Sequence, residues 1–394
     1  MLTKLPFSDR GDVLVGQEMF RVLERAKFAE KQGVKIFHLE LGNPRLPPPP
    51  EIFEVTKSAI DGKLLGYTSS AGLMELRTEI AKRYTNKNDR QISEENVVVG
   101  IANLLISQFM DLTCNRGDKI VLFSPVFPTY LVAGIHAGLE VVDIPLSVES
   151  GFDLTRNDVD RAIESKPRAI IINSANNPTG RVYSREILEY LAKLCHKNGI
   201  WLMSDETYGE ISYRKPFYSL SALNYPQLIV ISSFSKIFSI PGFRTGFALA
   251  NEVVAKKLEL SNSTLISCLP IFTQMGCAAG LRVLDGYMKE VKDHYYKTTS
   301  EITNIIKKSS VISFSEPDAA VYIFAEISKT GLDDVEFSDL LLTKANTAVT
   351  PGRSFGEKYK NFIRIAICGN IEDVVEGVNR VVTLAEDLSL AKPK

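Results

Sequence analysis

The chain has 394 residues, of which 45% are hydrophobic and 24% are charged, and its formal net charge is −1. This is the composition of a globular protein that is long enough for one large domain and a smaller one. The nearly neutral charge argues against a nucleic-acid partner, and no apolar run approaches the roughly 20 residues needed to span a membrane.

The chain begins with MLTKLPFSDRGDV, which lacks the apolar core of a signal peptide. The five cysteines are scattered along the sequence without the spacing of metal ligands. Reduced thiols, a cytoplasmic location and no bound metal are therefore the expectations.

Apolar residues recur at helical spacing across residues 16–33 and predict a helix that ends at Gly33. The segment LELGNPRLPPPP follows, with a turn at Gly42 and an extended strap of four prolines. A helix is predicted over residues 51–61, and a polar loop that contains Tyr67 leads into the next helix.

From about residue 96 to residue 250, predicted strands alternate with predicted helices, as in a doubly wound α/β sheet. In NVVVGIANLL, a glycine joins strand to helix, so the N–H groups of Ile101 and Ala102 could face an anion. A junction of this kind can also be a packing feature that binds no ligand. Phe127, between two prolines, is either a core residue or one that stacks on a cofactor.

Two further strands of this region end in polar residues. PRAIIINSANNPTG runs into a turn that contains Asn177, and GIWLMSDETYGEI places Asp205 at a strand end with Tyr208 close behind. A carboxylate at the end of a buried strand needs a partner to offset its lost hydration.

The stretch LIVISSFSKIFSIPGFRTGF is a buried strand, a hydroxyl-rich loop with Lys236, and a turn before Arg244. Burial and a nearby cation would lower the pKa of the lysine and make it a better nucleophile toward carbonyls. Ser233, Ser235 and Arg244 are suitable ligands for a phosphate. A Schiff-base lysine beside a phosphate site is typical of pyridoxal 5'-phosphate (PLP) chemistry, and the alternative is a solvated surface lysine.

Beyond residue 250 the pattern is helical over 252–262 and 272–307, and a shorter α+β segment follows. In this segment the strand FIRIAIC carries Arg364 within an apolar run, and a buried arginine requires an anion. Asn370 is the predicted cap of the last helix, from about residue 371 to residue 387.

Five motifs occur in order: NNPTG (176–180), SDETY (204–208), SFSK (233–236), GFRTG (242–246) and FIRIA (362–366). With them the chain resembles the fold-type I, PLP-dependent class I/II aminotransferases, such as aspartate aminotransferase. The resemblance implies an α/β fold with a large PLP-binding domain at residues 45–285. It also implies a discontinuous small domain at residues 1–44 and 286–394 that includes an N-terminal arm.

The resemblance also implies a role for each candidate residue. Lys236 would form the Schiff base and move a proton, and Asp205 would pair with the pyridine nitrogen. Asn177 and Tyr208 would contact the ring hydroxyl, with Phe127 stacked on the ring. The remaining implied ligands are Ile101, Ala102, Ser233, Arg244 and, from the second subunit of a homodimer, Tyr67 for the phosphate, and Arg364, Asn177 and Gly42 for the substrate.

The implied reaction moves the amino group of an L-amino acid to a 2-oxo acid. Near the expected side-chain pocket the sequence is mostly apolar, which favours neutral substrates, whereas an inward-pointing Arg45 would favour acidic ones. The pattern departs from the family at Ile101, Ala102 and Asn103, where a hydroxyl residue or a lysine is common, and at Arg353.

The alternatives to transamination are β- or γ-elimination, decarboxylation or oxidation of an amino acid. A PLP-sensing regulatory module is more remote, because the matching residues begin near residue 40 and leave no room for a DNA-binding domain before them.

Overall fold

The computed structural model describes residues 8–12, 16–88 and 90–391. Residues 1–7 and 13–15 of the predicted N-terminal arm and the last three residues of the predicted small domain lie outside these ranges. The division of the chain into two domains at residues 45 and 285 remains a prediction.

The strands fall into one large sheet, one smaller sheet and one short pair. They are β1 (Phe37–His38), β2 (Val97–Gly100), β3 (Lys119–Leu122), β4 (Glu140–Asp143), β5 (Ala169–Asn173), β6 (Trp201–Asp205), β7 (Leu228–Ser233), β8 (Gly246–Ala250), β9 (Ser313–Phe314), β10 (Tyr322–Glu326), β11 (Thr347–Ala348), β12 (Thr350–Pro351) and β13 (Phe362–Ala366).

The large sheet has seven strands in the order β2-β8-β7-β6-β5-β3-β4. Strand β8 runs antiparallel to both of its neighbours, and the other pairs are parallel. The central strands β5 and β7 are buried along their whole length, which accounts for their apolar sequences AIIIN and LIVISS. This mostly parallel sheet, with helices packed on it, is the α/β fold type I that the sequence predicts.

The helices within the described residues cover the large sheet and join it to the smaller one. They are α1 (Asp9–Asp12), α2 (Glu18–Lys31), α3 (Pro50–Asp61), α4 (Met74–Lys87), α5 (Ala102–Thr113), α6 (Pro128–Ala137), α7 (Arg156–Glu164), α8 (Arg185–Asn198), α9 (Phe234–Ile237), α10 (Glu252–Leu265), α11 (Ile271–Arg282), α12 (Leu284–Ile306), α13 (Asp334–Ala345) and α14 (Ile371–Leu390). None of them is both long and apolar enough to cross a membrane.

The smaller sheet is antiparallel, with the strand order β12-β13-β10-β9. Arg364 lies in the middle of β13, opposite Thr350 of β12 and Phe324 of β10. Helix α14 packs beside this sheet, and Asn370 caps it by accepting hydrogen bonds from the backbone N–H groups of Glu372 and Asp373.

Several candidate residues follow the carboxyl ends of strands in the large sheet. Ile101 follows β2, Asn177 lies after β5, Asp205 ends β6 and Lys236 follows β7. In open α/β sheets this edge is where ligands bind, because side chains from several strands meet there.

Candidate active site

All candidate site residues except Tyr67 line one cavity of about 450 Å³ between the large sheet and Arg364 of the smaller one. They are Gly42, Ile101, Ala102, Phe127, Asn177, Asp205, Tyr208, Ser233, Lys236, Arg244 and Arg364. The structure brings these residues together, and their individual roles remain predictions.

Lys236 lies in the short helix α9 directly after the buried strand β7, and its side chain lines the cavity. Its ammonium donates a hydrogen bond to the carbonyl oxygen of Gly42 at 2.6 Å. Burial, against the opposing effect of Cys368 and with smaller contributions from Arg364 and Arg244, lowers the pKa of Lys236 to about 8. A lysine with this pKa is deprotonated in a useful fraction near neutral pH, as a nucleophile or a base must be.

Asp205 is buried at the end of β6 and has a hydrogen-bond donor on each carboxylate oxygen. The Tyr130 hydroxyl donates to Oδ2 at 2.6 Å, and the Thr207 N–H donates to Oδ1 at 3.0 Å. Burial raises the pKa of Asp205, and the two hydrogen bonds oppose this rise. No cationic side chain of the described residues forms an ion pair with Asp205, so this buried carboxylate lacks a positive partner within the chain.

The sequence interpretation missed Tyr130. This residue lies in the first turn of α6, three positions after Phe127, and the two rings meet edge to face at 5.7 Å. The signal was the i, i+3 spacing within FPTY, which places both side chains on one side of a helix start.

Arg364 is fully buried, and its acceptors are all uncharged. Its guanidinium donates to Asn177 Oδ1 at 3.1 Å, to the Glu40 carbonyl oxygen at 2.5 Å and to Thr350 Oγ1 at 3.2 Å. It also lies over the ring of Tyr322, 4.4 Å from the centroid. Because no carboxylate among the described residues neutralises it, a bound anion would.

Tyr208 and Tyr322 connect the middle of the cavity to Arg364. Their hydroxyl groups are 2.6 Å apart, and burial raises the pKa of Tyr208 well above its ordinary value, so it stays a phenol. Gly42 is required beside them, because a Cβ atom at this position would lie 1.9 Å from the Tyr322 hydroxyl oxygen.

The other end of the cavity presents groups that suit a phosphate. Ile101 and Ala102, at the start of α5, line the cavity, and the first N–H groups of a helix have no acceptor within the helix. Ser233 and Ser235 face each other with their hydroxyl oxygens 3.0 Å apart, and Arg244 completes the set with a positive charge.

Three residues that the sequence singles out lie outside this cavity, and for Tyr67 this agrees with a role in the site of a second subunit. Tyr67 is 91% exposed and outside the cavity of its own chain. Arg45 is exposed and does not line the cavity, and Arg353 is bound to Asp333 and Asp334, which makes it a structural residue of the smaller sheet region.

The start of helix α2 forms a wall of the cavity that the sequence interpretation did not identify. Gln17, Met19 and Phe20 line the cavity there, and Gln17 donates a hydrogen bond to Thr129 Oγ1 at 2.9 Å. This contact fastens the N-terminal helix to α6, next to Phe127. No local sequence signal marks these residues, because they reach the cavity only through the tertiary packing of α2.

Comparisons with known proteins identify the family of the chain. The family model described as "Aminotransferase class I and II" matches residues 34–381. An aspartate aminotransferase of Thermotoga maritima is 31% identical over 361 residues, which is 91% of this chain and 93% of the relative. Aromatic-amino-acid aminotransferase 2 of Thermococcus litoralis is 28% identical over 394 residues, covering 98% of this chain and all of the relative.

Solved structures match the fold over almost the full length. A crystal structure of aspartate aminotransferase from Thermotoga maritima superposes with a TM-score of 0.88 at 30% identity, covering 96% of this chain and 99% of that one. An aromatic aminotransferase from Pyrococcus horikoshii superposes with a TM-score of 0.86 at 27% identity, covering 95% of this chain and all of that one.

Proposed function

The chain belongs to the class I and II aminotransferases, and from this premise we propose that it moves the amino group of an L-amino acid with a neutral side chain to a 2-oxo acid. We further propose that it uses PLP bound to Lys236. One observation carries the proposal: a buried lysine with a pKa of about 8 shares one cavity with a buried aspartate and a buried arginine that lacks an anion.

The residues present fit PLP at each of its polar groups. When bound, PLP supplies an aldehyde that forms imines with amines and a ring that accepts electrons from the substrate Cα. Asp205 would hold the proton on the ring nitrogen, and Tyr208 and Asn177 would contact the ring hydroxyl. Ser233, Arg244 and the start of α5 would bind the phosphate, while Phe127 would cover the ring.

The chain's own residues would then perform three tasks. Arg364, assisted by Asn177, would bind the substrate carboxylate through charge-assisted hydrogen bonds. Lys236 would act as the base that takes the proton from the substrate Cα, which its lowered pKa allows near neutral pH. Met19 and Phe20, at the wall formed by α2, would exclude water from the reacting atoms.

The cationic residues that line the cavity support a neutral substrate side chain. The cations that line it are Lys236, Arg244 and Arg364, and each already has a proposed partner in the cofactor or in the α-carboxylate. A second carboxylate on the substrate would therefore find no cation among the described lining residues. Met19, Phe20, Leu41, Ile101 and Ile106 offer apolar contacts instead.

An acidic substrate is the second candidate, because several relatives are named aspartate aminotransferases. It would require a cation from outside the cavity of a single chain, for example from a second subunit.

A homodimer is itself part of the proposal. Tyr67 is 91% exposed, and large apolar side chains are exposed around it in residues 53–74, as expected for a surface that a second copy covers.

Two experiments test the proposal. Borohydride reduction of the purified protein, followed by peptide mapping, should place a pyridoxyl group on Lys236, and an adduct on another lysine or none at all would refute PLP bound there. Steady-state kcat/KM should then be compared for alanine, leucine, phenylalanine, aspartate and glutamate as donors, with the oxo-acid product identified. Aspartate or glutamate leading by about tenfold, roughly 1.4 kcal/mol, would contradict the neutral-substrate proposal. The variant Arg45→Ala serves as the control for a contribution from that exposed cation.

A further inference from the structure

A chain of polar contacts connects helix α2 to Arg364 through His38 and Glu40. The imidazole Nε2 of His38 lies 3.1 Å from Glu30 Oε1 on α2, and its Nδ1 lies 2.8 Å from Glu40 Oε1. The carbonyl oxygen of Glu40 accepts the hydrogen bond from Arg364 Nη2 at 2.5 Å.

His38 is a cation in this arrangement. Both of its ring nitrogens face carboxylate oxygens, and an ionised carboxylate can only accept hydrogen bonds, so both nitrogens must carry a proton. The hydrogen bond to Glu40 raises the pKa of His38 above its ordinary value, against the effect of burial. His38 is accordingly the positive partner of Glu40.

Glu40 takes part in this arrangement through both its side-chain carboxylate and its backbone carbonyl. Its side chain is fully buried and Oε2 has no donor among the described residues, so His38 is the one partner of its carboxylate there. Its carbonyl oxygen accepts from both Arg364 Nη2 and Thr350 Oγ1, the latter at 2.7 Å. The backbone that His38 and Glu40 anchor therefore holds the guanidinium of Arg364.

Taking the aminotransferase function above as given, we propose that His38 and Glu40 are positioning residues for the substrate-carboxylate site. The ion pair between them fixes the backbone at Glu40, and the carbonyl there fixes the Arg364 guanidinium in the orientation that accepts a carboxylate. Neither side chain touches the substrate, because neither lines the cavity.

Loss of His38 alone should be harmful, since it leaves a buried carboxylate without its cation. The segment must then move to bring the Glu40 carboxylate to water or to another donor, and this movement disturbs the backbone that holds Arg364. Loss of both charges should be tolerated better, because two amides at these positions can still form a hydrogen bond to each other.

The test uses the PLP-loaded protein and the donor amino acid that is ranked first in the panel, together with the carboxylic acid that lacks its amino group. For His38→Gln we expect the KM of the donor and the calorimetric Kd of the carboxylic acid each to rise about tenfold. We expect kcat to stay within about threefold and PLP affinity within about twofold, because Asp205, Arg244 and the phosphate site are not involved. The double variant with Glu40→Gln should recover most of the lost affinity.

The matched control is Lys35→Gln, which removes a cation from the same segment whose partner, Asp373, is exposed. It should leave both constants within about twofold. If His38→Gln does not fold, Glu30→Gln serves as a milder second variant, since Glu30 is half exposed. It should raise the Kd of the carboxylic acid by about threefold.

An unchanged Kd in His38→Gln, or a parallel fall of kcat and PLP affinity, would overturn the positioning role. A double variant that binds the acid no better than His38→Gln would overturn the role of charge pairing. Failure of the proposed function would look different: the wild-type protein itself would then form no pyridoxyl adduct at Lys236 and produce no oxo acid.

Discussion

Removal of the Tyr130 hydroxyl should destabilise the protein through Asp205. In the variant Tyr130→Phe, Asp205 keeps the Thr207 N–H but loses the donor at 2.6 Å, and both side chains are buried. A hydrogen bond to a charged group contributes about 1.5–3 kcal/mol. We therefore expect the free energy of unfolding of the PLP-free protein to fall by about 2 kcal/mol near neutral pH.

The loss should also depend on pH, with a defined sign. Burial raises the pKa of Asp205 in the folded state, so ionisation of this carboxylate costs free energy in the fold. Stability then falls as pH rises from the unfolded pKa, about 3.9, through the folded value. Because the Tyr130 hydroxyl counteracts the rise, its removal enlarges this fall, and the difference between variant and wild type should grow with pH.

Urea denaturation of the PLP-free protein at about pH 4 and about pH 7.5 measures this difference. The matched control is Tyr295→Phe, because the Tyr295 hydroxyl is also buried but has no hydrogen-bond partner among the described residues. This control should be neutral or slightly stabilising at both pH values. Equal losses for the two variants, or a loss for Tyr130→Phe that does not change with pH, would refute the assignment of Tyr130 as the donor that stabilises ionised Asp205.

Three further predictions concern activity, assembly and stability. Arg364→Lys should raise the KM for the donor by about ten- to a hundredfold, because lysine cannot form the bidentate contact to a carboxylate, and a change below about twofold would contradict the role of Arg364. A mixture of inactive Lys236→Ala and Tyr67→Ala chains should recover activity, since a heterodimer has one intact site, and a monomeric, fully active wild type would contradict the shared site. Burial raises the pKa of Glu206 to about 7, so its ionisation costs stability. Relative to wild type, Glu206→Gln should therefore gain stability as pH rises from about 4.3 to about 7, by on the order of 3 kcal/mol, and a pH-independent difference in urea denaturation would contradict this.

The sequence predicts the large sheet well because its signals are local. The runs AIIIN and LIVISS are apolar at nearly every position, which is typical of strands buried on both faces, and glycines and polar residues mark their ends. Boundaries are harder to predict: the sequence favours a strand over 138–146, but β4 covers only Glu140–Asp143. Beyond Asp143 the pairing continues outside the strand itself, because the Ile144 N–H donates to the Leu122 oxygen at 2.9 Å and the Leu146 N–H donates to the Ser124 oxygen at 2.8 Å. The strand therefore ends gradually, and the sequence pattern does not show at which residue.

The candidate residues at strand ends were predictable for the same reason, because a polar side chain directly after a buried strand lies at the edge of the sheet where ligands bind. Tyr130, and the polar contact made by Tyr322, were harder to predict. An aromatic residue in an apolar segment is usually a core residue, and only the hydrogen bonds of their hydroxyls to Asp205 and Tyr208 show that they support the polar site. The contribution of Gln17, Met19 and Phe20 depends on how α2 packs across the chain, which no periodicity encodes.

The surroundings of Arg364 show how one buried cation can serve a substrate. A carboxylate of the protein beside it would offset the cost of burial but would compete with the substrate for the same N–H groups. Here the acceptors are an amide, a hydroxyl and a carbonyl, and the rings of Tyr322 and Phe355 cover the guanidinium at 4.4 Å and 5.0 Å. These neutral contacts orient the arginine without cancelling its charge. The carboxylate of Glu40 is directed to His38 instead, so the same residue supplies a neutral carbonyl to Arg364 and keeps its own charge paired elsewhere.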